Sequence, residues 1–213
     1  MVAASRTDAG VHAKGQVVSF RTEASLPIKA FTHGLNHHLP EDIAVRAAYK
    51  VSDAFNVQRD AVSREYRYCI LNSATRSPLW RKYSYLVRGN LNLENMSRAC
   101  QALVGVHDFA SFVTEISDNI KSTVRNVLHA GIARKGELVL FDIKANSFLP
   151  HQVRNTVGAL LKVGMGDMSV DEFRGIIEAK KLGLAGPTVP ACGLCLMQVN
   201  YPDPFQESDG EDL

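Results

Sequence analysis

The residues with the most chemical content lie near the start of the chain, as Ser5-Arg6-Thr7-Asp8-Ala9-Gly10-Val11-His12-Ala13. A carboxylate stands between an arginine two residues before it and a glycine two residues after it. That spacing suits a nucleophile carried on a tight turn. Gly10 admits a positive φ or a close approach of backbone to ligand. The fixed charge of Arg6 would hold Asp8 ionised, and the Thr7 hydroxyl can donate a hydrogen bond to the same carboxylate. The same letters also fit a plain surface turn capped by Asp8, because Asp-x-Gly is common turn punctuation.

Other reactive side chains carry less. The four cysteines, Cys69, Cys100, Cys192 and Cys195, show no disulfide framework. Cys192-Gly-Leu-Cys195 has zinc or redox spacing without a second such pair. His33 and His37 sit four apart on a predicted helix but lack the glutamate of a metalloprotease motif, so they read as surface or partner-facing histidines. No metal site is expected.

The elements that must position Asp8 follow from periodicity. Residues 16–22 read as a strand after the turn, 28–39 as a helix ended by Pro40, and 43–49 as a second strand. Residues 61–71 alternate, with Val62, Arg64, Tyr66, Tyr68 and Ile70 on one face and Ser63, Glu65, Arg67 and Cys69 on the other. A helix starts near Asn92 with Leu93, Met96, Cys100 and Leu103 on its apolar stripe. Residues 122–134 and 137–145 form a predicted hairpin about Lys135-Gly136. A helix over 150–163 has Val153, Val157, Leu160 and Leu161 on its core face, and Pro150 is tolerable in its first turn. Ser169-Val-Asp-Glu172 is a capping box opening another helix, which buries Phe173, Ile176 and Ile177. A strand over 194–199 closes the pattern. The order implies an α+β fold of two similar halves with mixed, mainly antiparallel sheets. Residues 1–104 form one half and 105–205 the other, dividing near Gly105.

Five stretches in order resemble the TruA family of tRNA pseudouridine synthases. The opening run matches its catalytic motif, Gly/Ser-Arg-Thr-Asp-x-Gly-Val-His-Ala. Glu65-Tyr66-Arg67-Tyr68 is similar to its second motif, and Gly105 to Phe112 to its interdomain segment. Residues 148–158 contain Phe-Leu-x-x-x-Val-Arg-Asn-x-Val-Gly, and Ala185-Gly186-Pro187-Thr188 with Gly193-Leu194 matches its C-terminal block. The resemblance implies two similar α+β halves with the active site in the cleft between them. It implies an isomerase that turns uridine into pseudouridine in the anticodon stem-loop of tRNA, as a homodimer. Uracil leaves its ribose, turns and returns through carbon, with no redox change, so the chemistry needs neither cofactor nor metal. Asp8 is then the nucleophile, attacking uracil C6 or ribose C1′. Tyr66, which by alternation alone is a core residue beside Tyr68 and Ile70, lies against the flipped uracil, where its ring can stack and its hydroxyl can assist proton transfer at C5. Arg154, which by periodicity lies off its helix's core face like any solvated arginine, becomes the ion-pair partner of Asp8. His151 falls at a variable position of its motif. Arg6 enters the space the base vacates or holds a phosphate, and His12, Lys14, Arg21 and Arg125 are candidate phosphate contacts. The resemblance also implies a strand-and-helix segment before the catalytic motif. Here the chain begins four residues before Ser5, and an exposed sheet edge is expected.

Composition agrees with a globular protein. Of 213 residues 46% are hydrophobic, enough for a sizeable core. No apolar stretch approaches a membrane span and no signal peptide precedes the motif, so a cytoplasmic location is expected. The net charge of +2 hides an acidic tail, 206–213, with four acids and no base, which is expected to be disordered. Without it 24 bases face 18 acids, a balance of +6 that suits an anionic partner. Two rival readings are a tRNA-binding module without catalysis, and a glycosidase pairing Asp8 with an acid such as Asp108.

Overall fold

A computed structural model describes residues 1–115 and 120–202; the acidic tail lies outside the described residues. The first part of the chain forms β1 (Val2–Ala3), β2 (His12–Ala13), β3 (Val18–Ser19) and α1 (Ile28–His38). There follow β4 (Ser63–Asn72), β5 (Tyr85–Val87), α2 (Leu93–Ala102) and β6 (Gly105–Asp108). The hairpin β7 (Val124–Lys135) and β8 (Leu138–Ala145) leads into α3 (Gln152–Met165), α4 (Val170–Ala179) and β9 (Leu194–Asn200).

Seven strands join in one sheet in the order β2-β9-β4-β8-β7-β6, with β5 also paired to β4. The β2–β9 and β4–β5 pairings are parallel and the others antiparallel. The α+β architecture and the mainly antiparallel sheet are as the sequence implies. Strands from both sides of Gly105 share the sheet, since β4 lies between β8 and β9.

The alternation of β4 explains its central place. Tyr66, Tyr68 and Ile70 face the core opposite Ile143, Phe141 and Val139 of β8, and all six are buried. On the other face Glu65 opposes Lys144 and Arg67 opposes Asp142, and both pairs form ion pairs, at 2.8 and 2.7 Å. Val62 departs from the expected face. It precedes the strand and is half exposed. The core is completed by α2 packed on α3, α4 and β7, around Tyr68, Phe109, Phe112, Phe141 and Phe173. Each such buried ring contributes about 2 kcal/mol or more of transfer free energy.

Local signals set most element ends. The Asn92 side chain accepts the Asn95 N–H at 3.0 Å to open α2. The Ser169–Glu172 capping box is present with both bonds, at 2.7 and 3.1 Å. Two expected strands are not found as read. Of 16–22 only Val18–Ser19 is strand, paired with β1. Residues 43–49 form no strand, because the Asn36 amide binds both the N–H and the carbonyl of Val45, at 2.6 and 2.8 Å. A side chain takes there the bonds that a ladder would need. α1 runs as expected to the turn before Pro40, yet none of its residues is buried. Among the described residues no helix is long and apolar enough to cross a membrane.

Candidate active site

Asp8 is delivered by a turn in which the Val11 N–H donates to the Asp8 carbonyl at 3.1 Å. Gly10 has φ +82°, a conformation that a side chain would strain. The chain then enters β2, whose His12 and Ala13 pair with Cys195 and Leu196 of β9. Behind the turn the Gln16 amide clamps Ser5: its Nε2 donates to the Ser5 carbonyl at 2.8 Å and its Oε1 accepts the Ser5 N–H at 3.3 Å.

The carboxylate meets α3. Arg154 Nη1 donates to Asp8 Oδ2 at 2.7 Å, and His151 Nε2 lies 3.4 Å from Oδ1. Each oxygen thus has one nitrogen partner. The arginine is itself fixed, because its Nε donates to the Val189 carbonyl at 2.8 Å. The Asp8 side chain keeps 32% of its exposure against 16% for Arg154. It is therefore an oriented carboxylate that stays partly open to solvent. His151 takes a left-handed backbone, φ 59°, immediately before α3. The helix therefore starts at Gln152 rather than at Pro150.

Tyr66 borders the same turn. Its hydroxyl lies 2.8 Å from Ser5 Oγ and its ring meets Phe148 edge-on at 5.2 Å. Burial pushes its phenol above the usual range, against the opposing effects of the Ser5 hydrogen bond and the Arg64 charge. At neutral pH the phenol therefore keeps its proton.

Beneath the turn sits Arg64, 8% exposed, whose guanidinium donates to the carbonyls of Gln58, Ala61, Ala4 and Asn146 at 2.7–3.4 Å. Burial lowers its pKa. It ties the residue before Ser5 to the segment that leads into α3. The stretch Val189–Gly193 serves a similar purpose from the other side. Val189 holds Arg154, the Pro190 carbonyl accepts the Tyr68 hydroxyl at 2.7 Å, and Cys192 Sγ donates to the Ser84 carbonyl at 3.6 Å. A Cβ at Gly193 would lie 2.6 Å from the Tyr68 ring, so only glycine lets the two meet.

Of the residues singled out in the sequence, Asp8, Arg154 and Tyr66 come together. Arg6 is exposed, and the ion-pair partners of Asp8 among the described residues are Arg154 and His151 instead. His12 turns to the Lys82 carbonyl, 2.6 Å away, and to the Tyr83 ring. Lys14 and Arg21 are exposed. Arg125 spends its Nη1 on the carbonyls of Ser122 and Val124, at 2.8 and 2.7 Å. His151, Gln16 and the anchoring role of Arg64 are not apparent from the sequence pattern. An arginine on the apolar face of β4 is a signal that could have found the last, whereas His151 is brought to the carboxylate by a left-handed backbone that no spacing announces. Among the described residues no three His, Cys, Asp or Glu side chains gather as a metal site would require.

A family model described as tRNA pseudouridine synthase matches residues 99–202. The tRNA pseudouridine synthase A of Geotalea daltonii is 44% identical over 197 residues, which is 92% of this chain and 80% of that protein. Those of Vibrio campbellii and Shewanella amazonensis are 43% and 44% identical over 202 residues, 95% of this chain and 76% and 77% of theirs. The chain belongs to the tRNA pseudouridine synthase family. It is thereby an isomerase by kinship, and its α+β fold agrees. Within the family match lie His151 and Arg154, whereas Asp8 and Tyr66 belong to the part of the chain before it.

Proposed function

We propose that this chain isomerises uridine to pseudouridine in the anticodon stem-loop of tRNA, with Asp8 as nucleophile. The observation that carries the reading is the 2.7 Å ion pair between Asp8 and Arg154, which joins the opening motif to the start of α3. Arg154 holds the carboxylate aimed, which is what an oxygen nucleophile requires. The target base leaves its stack, at a cost of a few kcal/mol, and Arg6, exposed two residues before Asp8, fills the place it leaves. Asp8 attacks uracil C6 or ribose C1′ while the N1–C1′ bond breaks. The base turns, C5 bonds to C1′, the bond to Asp8 breaks and returns its electron pair to the carboxylate, C5 gives up its proton and N1 gains one, so the product is an isomer of the substrate. Tyr66 supplies the face on which the base rests, with its hydroxyl held by Ser5. The reading includes a homodimer that spans the tRNA and a cytoplasmic setting, both expectations from the family.

The test is conversion of an unmodified tRNA transcript by the 213-residue chain, beside Asp8→Ala and Arg154→Ala. Pseudouridine is expected from the parent and none above background from folded Asp8→Ala that still binds tRNA. Arg154→Ala should be slowed at least tenfold. Product from Asp8→Ala at the parent's rate would overturn the mechanism. Binding without product from the parent would favour a tRNA-binding module instead.

A further inference from the structure

The turn between β4 and β5 has no part in the chemistry above, yet it shows an uncommon surface. Leu79, Trp80 and Tyr83 are 86%, 40% and 53% exposed, and Arg81 and Lys82 are exposed between them. From Tyr66 to Leu93 the sequence holds five arginines and lysines and no acid. Large apolar side chains left in water mark contact sites more often than chance exposure.

The turn is built rather than loose. The Trp80 carbonyl accepts the N–H groups of Tyr83 and Ser84, both at 2.9 Å, and the Ser84 hydroxyl at 3.0 Å. Ser84 is buried, and its own carbonyl accepts from Cys192. On the other side the Tyr83 ring meets His12, centroids 4.8 Å apart and planes 31° from parallel, while His12 Nε2 contacts the Lys82 carbonyl. His12 lies four residues after Asp8, so the aromatic corner is coupled to the turn that carries the carboxylate.

We infer that the Leu79–Tyr83 corner is an RNA-docking surface, on which unpaired bases beside the target nucleotide stack against Trp80 and Tyr83 while Arg81 and Lys82 hold the phosphates. The inference rests on the tRNA reading above. Its physical basis is the pairing of flat aromatic faces with cations, which suits a single-stranded polyanion whose bases all present a π-face. Two copies of this chain meeting through the same acid-free corner would set like charges against each other, which disfavours that occupant.

Trp80 is the single tryptophan of the chain, so its fluorescence reports on this corner alone. Unmodified tRNA titrated into the full chain should change Trp80 emission, saturating together with complex formation in a band-shift assay. Trp80→Ala should bind about tenfold more weakly with unchanged thermal stability, a loss within the range of one stacked base, and Trp80→Phe should bind like the parent. Complex formation with silent Trp80 emission, or Trp80→Ala binding as tightly as the parent, would overturn the docking surface and leave the proposed isomerase standing. Emission that shifts with protein concentration in the absence of RNA would assign the corner to contact between copies, and would also overturn it. Absence of any complex would sink both readings. A saturable emission change without pseudouridine would keep the surface and remove the proposed activity.

Discussion

The chain before β4 and the chain from β4 onward are held together in different ways. From β4 to β9 the backbone groups meet one another in long ladders, and aromatic and branched side chains close over them, with Tyr68, Phe112, Phe141 and Leu160 without exposure. Before β4 the strands are two residues long, α1 buries nothing, and Val2, Phe20, Leu26 and Ile43 stand 47–56% exposed. Order there rests on side chains bonded to backbone: Gln16 on Ser5, Asn36 on Val45, Arg64 on Ala4. The candidate site straddles the two. Asp8 comes from the sparsely buried part, Tyr66 and Arg154 from the well-buried one. The position of Asp8 therefore depends on a few identifiable bonds, whereas its partners are carried by a core.

That contrast can be broken by substitution. Leu160→Ala, in the core of α3, should cost about 3 kcal/mol, while Leu35→Ala on α1 should change stability by less than about 0.5 kcal/mol; denaturant unfolding of both tests it. Equal losses would mean that the two parts are alike after all. Arg64→Met leaves four carbonyls without their donor and should cost about 2 to 3 kcal/mol. It should also slow turnover, because Ala4 and Asn146 lose their common anchor. Unchanged turnover would show that Asp8 does not depend on it. Gln16→Leu removes the clamp on Ser5 together with the bond that Gln16 Oε1 accepts from the Val17 N–H, so about 1 kcal/mol is expected, with kcat falling more than tRNA affinity. A loss confined to affinity would contradict a positioning role for the clamp.

The smallest effect belongs to the outer face of the sheet. The Lys144 hydrogen bond holds Glu65 below the usual carboxylate range. A carboxylate lowered in the folded state binds its proton less readily than in the unfolded one, so its contribution is present above about pH 4.3 and is lost as pH falls through the folded value. Glu65→Gln should flatten stability against pH in that acid window. Above about pH 5 it should cost under about 1 kcal/mol, since both partners are more than a third exposed. An unaltered acid limb in a pH series of unfolding curves would refute the linkage.

Much of the better-buried part is legible without the structure. The alternation of β4, the Lys135-Gly136 turn, the Ser169 capping box and the apolar stripe of α3 are local signals that the core rewards rather than overrides. Residues 43–49 mislead because alternation says which face a strand would bury, not whether another strand is available to pair. Asn36 answers that question from a distance of nine residues. The site divides in the same manner. The Asp8 motif and the Arg154 motif are each visible as strings. That His151 shares the carboxylate is not, since it depends on a left-handed residue at the start of α3. That Arg154 takes the carboxylate is what the resemblance implies, whereas the exposure of Arg6 is not visible in the strings.

Residue type and spacing by themselves determined the class of fold, and the ordered motifs carried the likeness to the family and singled out Asp8 and Arg154, because periodicity and motif are properties of near neighbours along the chain. Only the tertiary structure decided the other meetings across long separations: Ser5 with Tyr66, Arg64 with Ala4 and Asn146, His151 with Asp8, His12 with Tyr83. The physical reason is that such pairs form where sheet register and helix packing bring distant backbone together, and no local pattern encodes the distance between two elements.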